Sequence, residues 1–598
     1  MERTLIKDTL NEIGKSVFIQ GWVQTRRDHG KIVFLDISDR SGLVQTVSAA
    51  DLAAKVQAGF AVAVEGLVKE RPKNLVNPKL ETGKIEIEIK KIEVLAKSES
   101  YPFDMGSPEL KLELPTLLDY RSLTLRHPKV KEIFQIQAAV LAGFREVARK
   151  LDCTEIVVPT IAASATEGGA EVFPIDYFGH RAFLTQSPQL YKQMLVPVFE
   201  RVFTISKAYR AEPSVTTRHL TEATQMDCEF CFVNFENLLD LLEEVGASTL
   251  KYVQDRNPKI LEHFGLVPIS FGKIPRLTMR EAQQIIFKEF NRDIRQEQDL
   301  SPQDETDICK WAVKKYQSDL VTITHFPTKK RAFYSMPDPK EPEYSLSYDL
   351  LFRGLEILSG SQRISDYDEL VSAIKDRGLD SAAFEMYLMA FKYGMPPEGG
   401  FSFGLERMTK NILNLENIRE ASLYPRDMER VDIRLSTLNK KPAGPTDLFA
   451  KIKQILDKKE LEYKLYEHEK VLTSEEAAKA RGTRLSQGAK ALVMFADKKA
   501  IMIVLPADRR VDFKKFKLAQ KIRDLKMGTA EEVKKLTGVE IGAVPPFGNL
   551  LSLTLYVDQN LQNEEKIVFN AGLHSKSILL KYSDYIKITD PIIGDYTS

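Results

Sequence analysis

A chain of 598 residues is longer than any single hydrophobic core, because cores stop growing well before that length and longer chains divide into domains. Three or more separately packed units are expected, and the hydrophobic pattern says where they fall. Over residues 1–100, short stretches alternate apolar and polar residues (VFIQGWV, IVFLDISD, LVQTVS, FAVAVEGLV, KIEIEIKKIEVL), with Gly and Asp turns between them. A period of two predicts half-buried strands. The segment DLAAKVQAG between the third and fourth reads as a short polar helix, so the unit is expected to be a small closed β-barrel. Residues 101–125 read as a Pro-containing connector. From 126 to 435 long helical patterns alternate with strands, predicting an α+β domain. The stretch TLNKKPAGPTD interrupts the periodicity and reads as a linker over 436–446. Residues 447–598 resume with their own helices and strands, a further unit of mixed α/β character.

Composition narrows the class. With 43% apolar and 28% charged residues the chain reads as an ordinary globular protein, and its net charge of +1 gives no global pull toward polyanions, so any such site must be local. Four cysteines do not make a disulfide framework in a chain this long. Cys228 and Cys231 form a CxxC. Metal or redox chemistry is one reading of that pair and a buried strand the other. The alternation in CEFCF and the lack of a second pair favour the strand, since a zinc site wants four ligands. The N-terminus lacks a basic-then-apolar signal, and no apolar run approaches the roughly 20 residues of a membrane span. A cytosolic protein is expected.

Two stretches carry chemistry. RVFTISKAYRAEPSVTTRHLTEATQMDCEF reads as a strand ending in Arg-x-Glu, a polar loop with a second Arg-His, and a returning strand. Such a hairpin holds cations at fixed positions, which suits clamping a triphosphate. EGGFSFGLERMTK reads as a glycine-rich strand entering a helix that carries Glu406 and Arg407 in its first turn. Small residues there would let a ligand approach the backbone. Together these stretches resemble motifs 2 and 3 of class II aminoacyl-tRNA synthetases, and Pro159 in TEIVVPTI sits where motif 1 places its dimer-interface proline. With ATEGGAEVFPIDYFGHRAFLTQSPQLYKQML, SYDLLFRGLEILSGSQRI and NIREASLYPRD, residues 1 to about 435 resemble the aspartyl branch in its archaeal and eukaryotic form.

That resemblance implies a homodimer that uses ATP and Mg²⁺ to join L-aspartate to tRNA(Asp), and leaves tRNA(Asn) open as a second acceptor. Arg210 and Arg407 match the arginines at the α- and γ-phosphates. Glu212, Arg218, His219, Leu220 and Glu356 match further ATP-site positions. Asp349, Glu356 and Ser359 match the magnesium ligands, hard oxygen donors suited to that ion. Glu167 and Gln189 match positions near the amino acid's α-amino group, and Arg210 borders that site. Lys192 and Arg363 match the cations that hold the side-chain carboxylate. Asparaginyl enzymes lack that lysine, and a buried cation pair would reject the neutral amide. Three positions depart from the family pattern: Glu398 and Ser365 where histidine is usual, and Ala223 where some relatives place an aromatic residue.

In the N-terminal barrel, which resembles an OB fold, Phe34, Gln45 and Glu86 match anticodon contacts, with Arg26 and Arg27 beside them. OB barrels stack bases on aromatic rings, although Phe34 could equally be barrel core. The last unit resembles the YbaK and prolyl-tRNA-deacylase family, which hydrolyses mischarged aminoacyl-tRNA. Lys490 matches its catalytic lysine, and Gly542 and Pro545 its substrate-confining loop. On the residues alone, Lys490 could be a half-buried strand lysine and GAVPPFG a rigid turn. The run RRVDFKKFKLAQKIRDLK carries eight basic and two acidic residues and reads as an acceptor-arm contact or a solvated helix. Three rival functions follow: an inactive RNA-binding paralogue, an ammonia-using asparagine synthetase, and a synthetase whose last unit only binds tRNA. Intact Arg210, Glu212 and Arg407 argue against the first, and the barrel against the second.

Overall fold

Alternation over the first hundred residues closes into a barrel. In a computed structural model, which describes all residues except 1, 79, 108, 164–171, 212–215, 438–444, 472, 498 and 552, its strands are Ser16–His29, Ile32–Ser38, Leu43–Ala49, Ala61–Glu70 and Ile85–Ala96. They close in the order first, second, third, fifth, fourth. Val17, Ile19, Val33, Leu35 and Ile37 point inward as one buried cluster. The expected helix at DLAAKVQAG is instead a run of turns. The Arg26 guanidinium donates to the carbonyls of Ala53 and Val56, so those acceptors are satisfied without a helical ladder.

The following α+β domain is built on an eight-stranded sheet ordered Arg276–Thr278, Leu320–Thr324, Ser347–Phe352, Leu355–Gln362, Glu398–Gly404, Glu222–Cys231, Arg201–Tyr209, Thr154–Glu155. The six central strands are antiparallel, while each outermost strand joins in parallel. The sheet is thus mixed at its edges. Helices Pro128–Lys150 and Phe235–Arg256 pack on each other and on one face, where Phe144, Phe203 and Phe403 meet edge to face. The first of these helices starts on Pro128, where a missing N–H is harmless. The second starts on an Asn234 capping box.

Local sequence fixes two alignments that the site needs. Arg353 and Gly354 both adopt positive φ (47° and 85°), the two-residue turn whose twist suits a hairpin. It aligns Asp349 opposite Ser359 across the strands. Gly400 lies opposite Glu229. A Cβ there would sit well inside contact distance of the Cys228 carbonyl and the Glu229 carboxylate. The glycines of EGG therefore make room for neighbouring strands and side chains. Only Gly404 fits the expected role of giving a ligand space, since its Cβ would meet nothing nearer than Arg407 at 3.5 Å. Cys228 and Cys231 are free and buried. They point into two different hydrophobic clusters, on opposite faces of their strand.

Residues 438–598 form a second compact unit. It holds a three-stranded sheet (Tyr463–Glu467, Lys576–Lys581, Lys566–Leu573) and a five-stranded one (Leu525–Met527, Ala489–Ala496, Lys499–Pro506, Thr554–Asp558, Ile592–Gly594). Ile452, Val504, Phe547, Phe569 and Tyr585 form its core. Most of TLNKKPAGPTD falls outside the described residues.

Both tryptophans, Trp22 and Trp311, lie in residues 1–437, so tryptophan fluorescence reports unfolding of that unit alone. Gly400→Ala should lower its denaturation stability by about 2–3 kcal/mol through overpacking.

Candidate active site

The returning strand Glu222–Cys231 points alternate residues to one face, so Asp227 and Glu229 face the same side. Lys192, on helix Gln189–Phe199, is 1% exposed there. Its Nζ lies 2.8 Å from Asp227 Oδ1 and 3.0 Å from Glu229 Oε2. Arg363, 5% exposed, donates from Nε to Glu229 Oε1 at 2.8 Å, from Nη1 to Ser361 Oγ, and from Nη2 to the Gly400 carbonyl and Gln189 Oε1. Gln189 in turn donates to Glu229. Two cations and two carboxylates thus form one buried, neutral network. Burial lowers the Lys192 pKa, but its two carboxylate partners more than reverse that, and it stays charged. Both cations are already paired within the protein, so charge count alone does not discriminate between acid and amide.

Glu398, the departure from histidine, is fully buried behind this network. Its Oε1 accepts from Gln193 at 2.7 Å, while its Oε2 accepts no hydrogen bond from the described residues. Burial, reinforced by the charge of Glu229, raises Glu398 well above the usual carboxyl range. A neutral acid here can donate where an imidazole N–H otherwise would, and it adds no negative charge. Ser365 is half-buried, two residues beyond Arg363.

Beside this network a cavity of about 300 Å³ gathers Arg210, Arg218, His219, Leu220, Glu356, Ser359 and Arg407. Arg210 follows the strand Arg201–Tyr209, and Arg407 sits in the first turn of helix Leu405–Ile412. Glu406 serves the scaffold, accepting from the Thr224 backbone N–H at 2.9 Å. Ala223 also lines the cavity. Here too each paired arginine meets a carboxylate: Arg407 with Glu356 at 3.3 Å, Arg218 with Glu305 at 3.1 Å, and Arg331 with Asp349 at 2.7 Å. Arg331 and Glu305 carried no signal in the sequence. Asp227 and Glu229 did: an i, i+2 acid pair in TQMDCEF, opposite a glycine-rich strand. Glu212 and Glu167 lie outside the described residues.

The oxygen donors fit a hard cation. Asp349 Oδ1 is buried with no hydrogen-bond partner among the described residues. Burial raises the Glu356 carboxyl, and the neighbouring charge of Asp349 adds to that, a strain that a divalent ion would relieve. Among the described residues no group of three or more His, Cys, Asp or Glu could hold a metal alone.

On the barrel, Phe34 is half-buried on the outer face, edge-on to His29 at 5.5 Å, and is not core. Gln45 donates to Glu86 at 3.3 Å and accepts from Arg27 at 3.2 Å. The structure thus gathers Phe34, Gln45 and Glu86 with Arg27, whereas Arg26 is engaged with the turn at residues 53–56. In the second unit Lys490 and Gly542 line a cavity of about 310 Å³. Pro545 is buried beside it. Of the basic run, Phe513–Gln520 forms a short helix with Leu518 84% exposed.

A family model described as tRNA synthetases class II (D, K and N) matches residues 113–428, more than half of the chain. The chain belongs to the class II tRNA synthetases. This synthetase also matches an OB-fold nucleic acid binding domain over residues 17–95 and an aminoacyl-tRNA editing domain over 468–588. It is 40% identical to the aspartate–tRNA(Asp/Asn) ligase of Thermus thermophilus over 432 residues, 72% of this chain and 99% of that one. It is 39% identical to the aspartate–tRNA(Asp) ligase of Pyrococcus abyssi over 438 residues, 71% and 98% of the two chains. Among solved structures, an aspartyl tRNA synthetase from Entamoeba histolytica aligns with a TM-score of 0.65 at 29% identity, covering 72% of this chain and 93% of that one. An asparaginyl-tRNA synthetase from Pyrococcus horikoshii aligns as well, with a TM-score of 0.65 at 30% identity over 72% and 99%. Fold similarity therefore does not separate the two amino acids.

Burial, with the charge of Glu356, lifts the Glu305 carboxyl to about 7. A raised acid stabilises the fold below its ordinary value, near 4.5, and loses that contribution as pH rises toward 7. Relative to Glu305→Gln, the native unit should thus lose about 3 kcal/mol across that window. Trp311 fluorescence during denaturation, on the same helix as Glu305, reads this out.

Proposed function

We propose that the chain activates L-aspartate with ATP and transfers it to tRNA(Asp), and that its C-terminal unit hydrolyses mischarged aminoacyl-tRNA. The observation that carries the aspartate reading is the buried Lys192–Asp227–Glu229–Arg363 network beside the arginine-lined cavity. Lys192 and Arg363 offer eight N–H bonds and no acceptor. Their partners within the protein leave each at least one N–H uncommitted. A carboxylate accepts both. The NH₂ of asparagine would face donors, and that mismatch discriminates even where net charge is balanced.

In this reading Arg210, with Arg218, His219 and Leu220, holds ATP, and Arg407 holds its γ-phosphate. Asp349, Glu356 and Ser359 would hold Mg²⁺, which neutralises phosphate charge as it is displaced. As ATP enters, Arg218 and Arg407 exchange Glu305 and Glu356 for phosphate oxygens. Aspartate's α-carboxylate attacks the α-phosphorus, pyrophosphate leaves, and the tRNA 3′-OH then displaces AMP from the adenylate. The protein's part is positioning and charge stabilisation. Glu167 and Glu212 complete the proposed α-amino and adenine contacts.

Residues 1–100 are proposed to read the anticodon through Phe34, Gln45 and Glu86, with Arg27 beside them and Arg26 contributing through the turn at residues 53–56 that it holds. Residues 101–125 then serve as hinge, 126–435 as catalytic domain, 436–446 as linker and 447–598 as the deacylase. The relatives' two specificities leave tRNA(Asn) as a candidate second substrate. The cytosol is the proposed compartment. A homodimer through Pro159 is supported by an exposed apolar patch beside it. Val157 is 96% exposed, Phe178 87%, and Ile161 and Tyr177 join them.

Aspartate-dependent pyrophosphate exchange tests the main reading, and its absence would refute it. Lys192→Met should raise the aspartate KM by about 100-fold and leave that for ATP nearly unchanged; equal effects would contradict the assignment. Val157→Glu should turn a sedimenting dimer into a monomer.

A further inference from the structure

The C-terminal cavity differs electrostatically from the N-terminal one. Among the described residues no Asp or Glu lines it, yet it is lined by Arg481, Arg484 and Lys490. Arg484 is neutralised by Glu564. Lys490 spends two N–H bonds on the carbonyls of Ala507 and Arg509. Arg481, at the end of helix Ser474–Arg481, has no carboxylate partner among the described residues. Its Nη2 donates to Asn570 Oδ1 and its Nε is buried without an acceptor. Thr483 also lines the cavity, and its Oγ is buried with no partner among the described residues. A charged group and a hydroxyl left unsatisfied together are costly. A ligand anion would satisfy both.

An aminoacyl ester has few anions to offer. Its α-carboxyl is esterified, which leaves the tRNA phosphates and an acidic side chain. We propose that the C-terminal cavity accepts aminoacyl-tRNA esters whose amino-acid side chain is a carboxylate, held by Arg481 and Thr483. This rests on the deacylase reading above, with Lys490 as the match to the catalytic lysine. Asn570 is a positioning residue: it accepts from Arg481, donates to the Gly542 carbonyl, and accepts from Ser577, whose hydroxyl is in turn held by His468. The guanidinium is thereby tied to the loop, where Gly542 adopts a φ of +87°. Hydrolysis adds a water oxygen to the acyl carbon and breaks its bond to the ribose oxygen, which takes up a proton. Free acidic amino acid and uncharged tRNA result.

The test uses the full chain without ATP, so that nothing is recharged. Its probes are aspartyl-, glutamyl- and alanyl-tRNA, the aspartyl ester on both tRNA(Asp) and tRNA(Asn). Hydrolysis of acidic esters faster than alanyl on either carrier supports the proposal. So does collapse of that preference by about 100-fold in Arg481→Met, partial rescue in Arg481→Lys, and a smaller loss in Thr483→Val. A faster alanyl rate overturns the substrate class while sparing the deacylase reading. An equal fall for all esters in Arg481→Met assigns the arginine to tRNA phosphate and also overturns the class. No hydrolysis of any ester refutes the deacylase reading itself.

Discussion

The contact between Lys192 and its two carboxylates is the interaction on which the catalytic unit's architecture turns. An ammonium is removed from water only if its partners are placed before it arrives. Strand alternation places Asp227 and Glu229 on one face, the facing strand gives up a side chain at Gly400 to seat Glu229, and Arg363 closes the second side. Glu398 fits the same constraint. A third ionised acid would unbalance the cluster, so burial holds it protonated, where it bonds Gln193. Fold and specificity are one problem here, since the same groups solve both.

The two cavities handle charge in opposite ways. In the N-terminal one the paired arginines rest against carboxylates of the same chain, so ligand entry is an exchange of partners with little net change in buried charge. In the C-terminal one Arg481 rests against an amide. The first arrangement protects a site that must bind and release a polyanion at every turnover. The second keeps an unmet electrostatic demand that only a particular ligand meets.

Much of this was legible in the sequence, for physical reasons. Period-two alternation marked all five barrel strands because each has one face in a core. Arg210 and Arg407 were visible because motif hairpins and helix starts are local. DLAAKVQAG was misread as a helix because its carbonyls are satisfied by Arg26, a residue some 30 positions away. Glu305 and Arg331 were invisible for the same reason. Their partners lie across the fold, and helix and loop charges usually face solvent. The acid pair Asp227–Glu229 could have been found from its spacing. Without it, the counter-ions that Lys192 and Arg363 meet inside the protein were missed. Phe34 shows the converse: alternation alone places it on the outer face, opposite in sense to Val33 and Leu35.

Gly400 has a consequence for how such a pocket changes over generations. Any side chain at that position collides with Glu229, and any shortening of Glu229 strips both Lys192 and Arg363 of a counter-ion. Single-step substitutions around the amino-acid site therefore pass through intermediates with a clash or an orphaned charge. Gly400 and Glu229 are therefore coupled positions, where a tolerated change at one calls for a compensating change at the other.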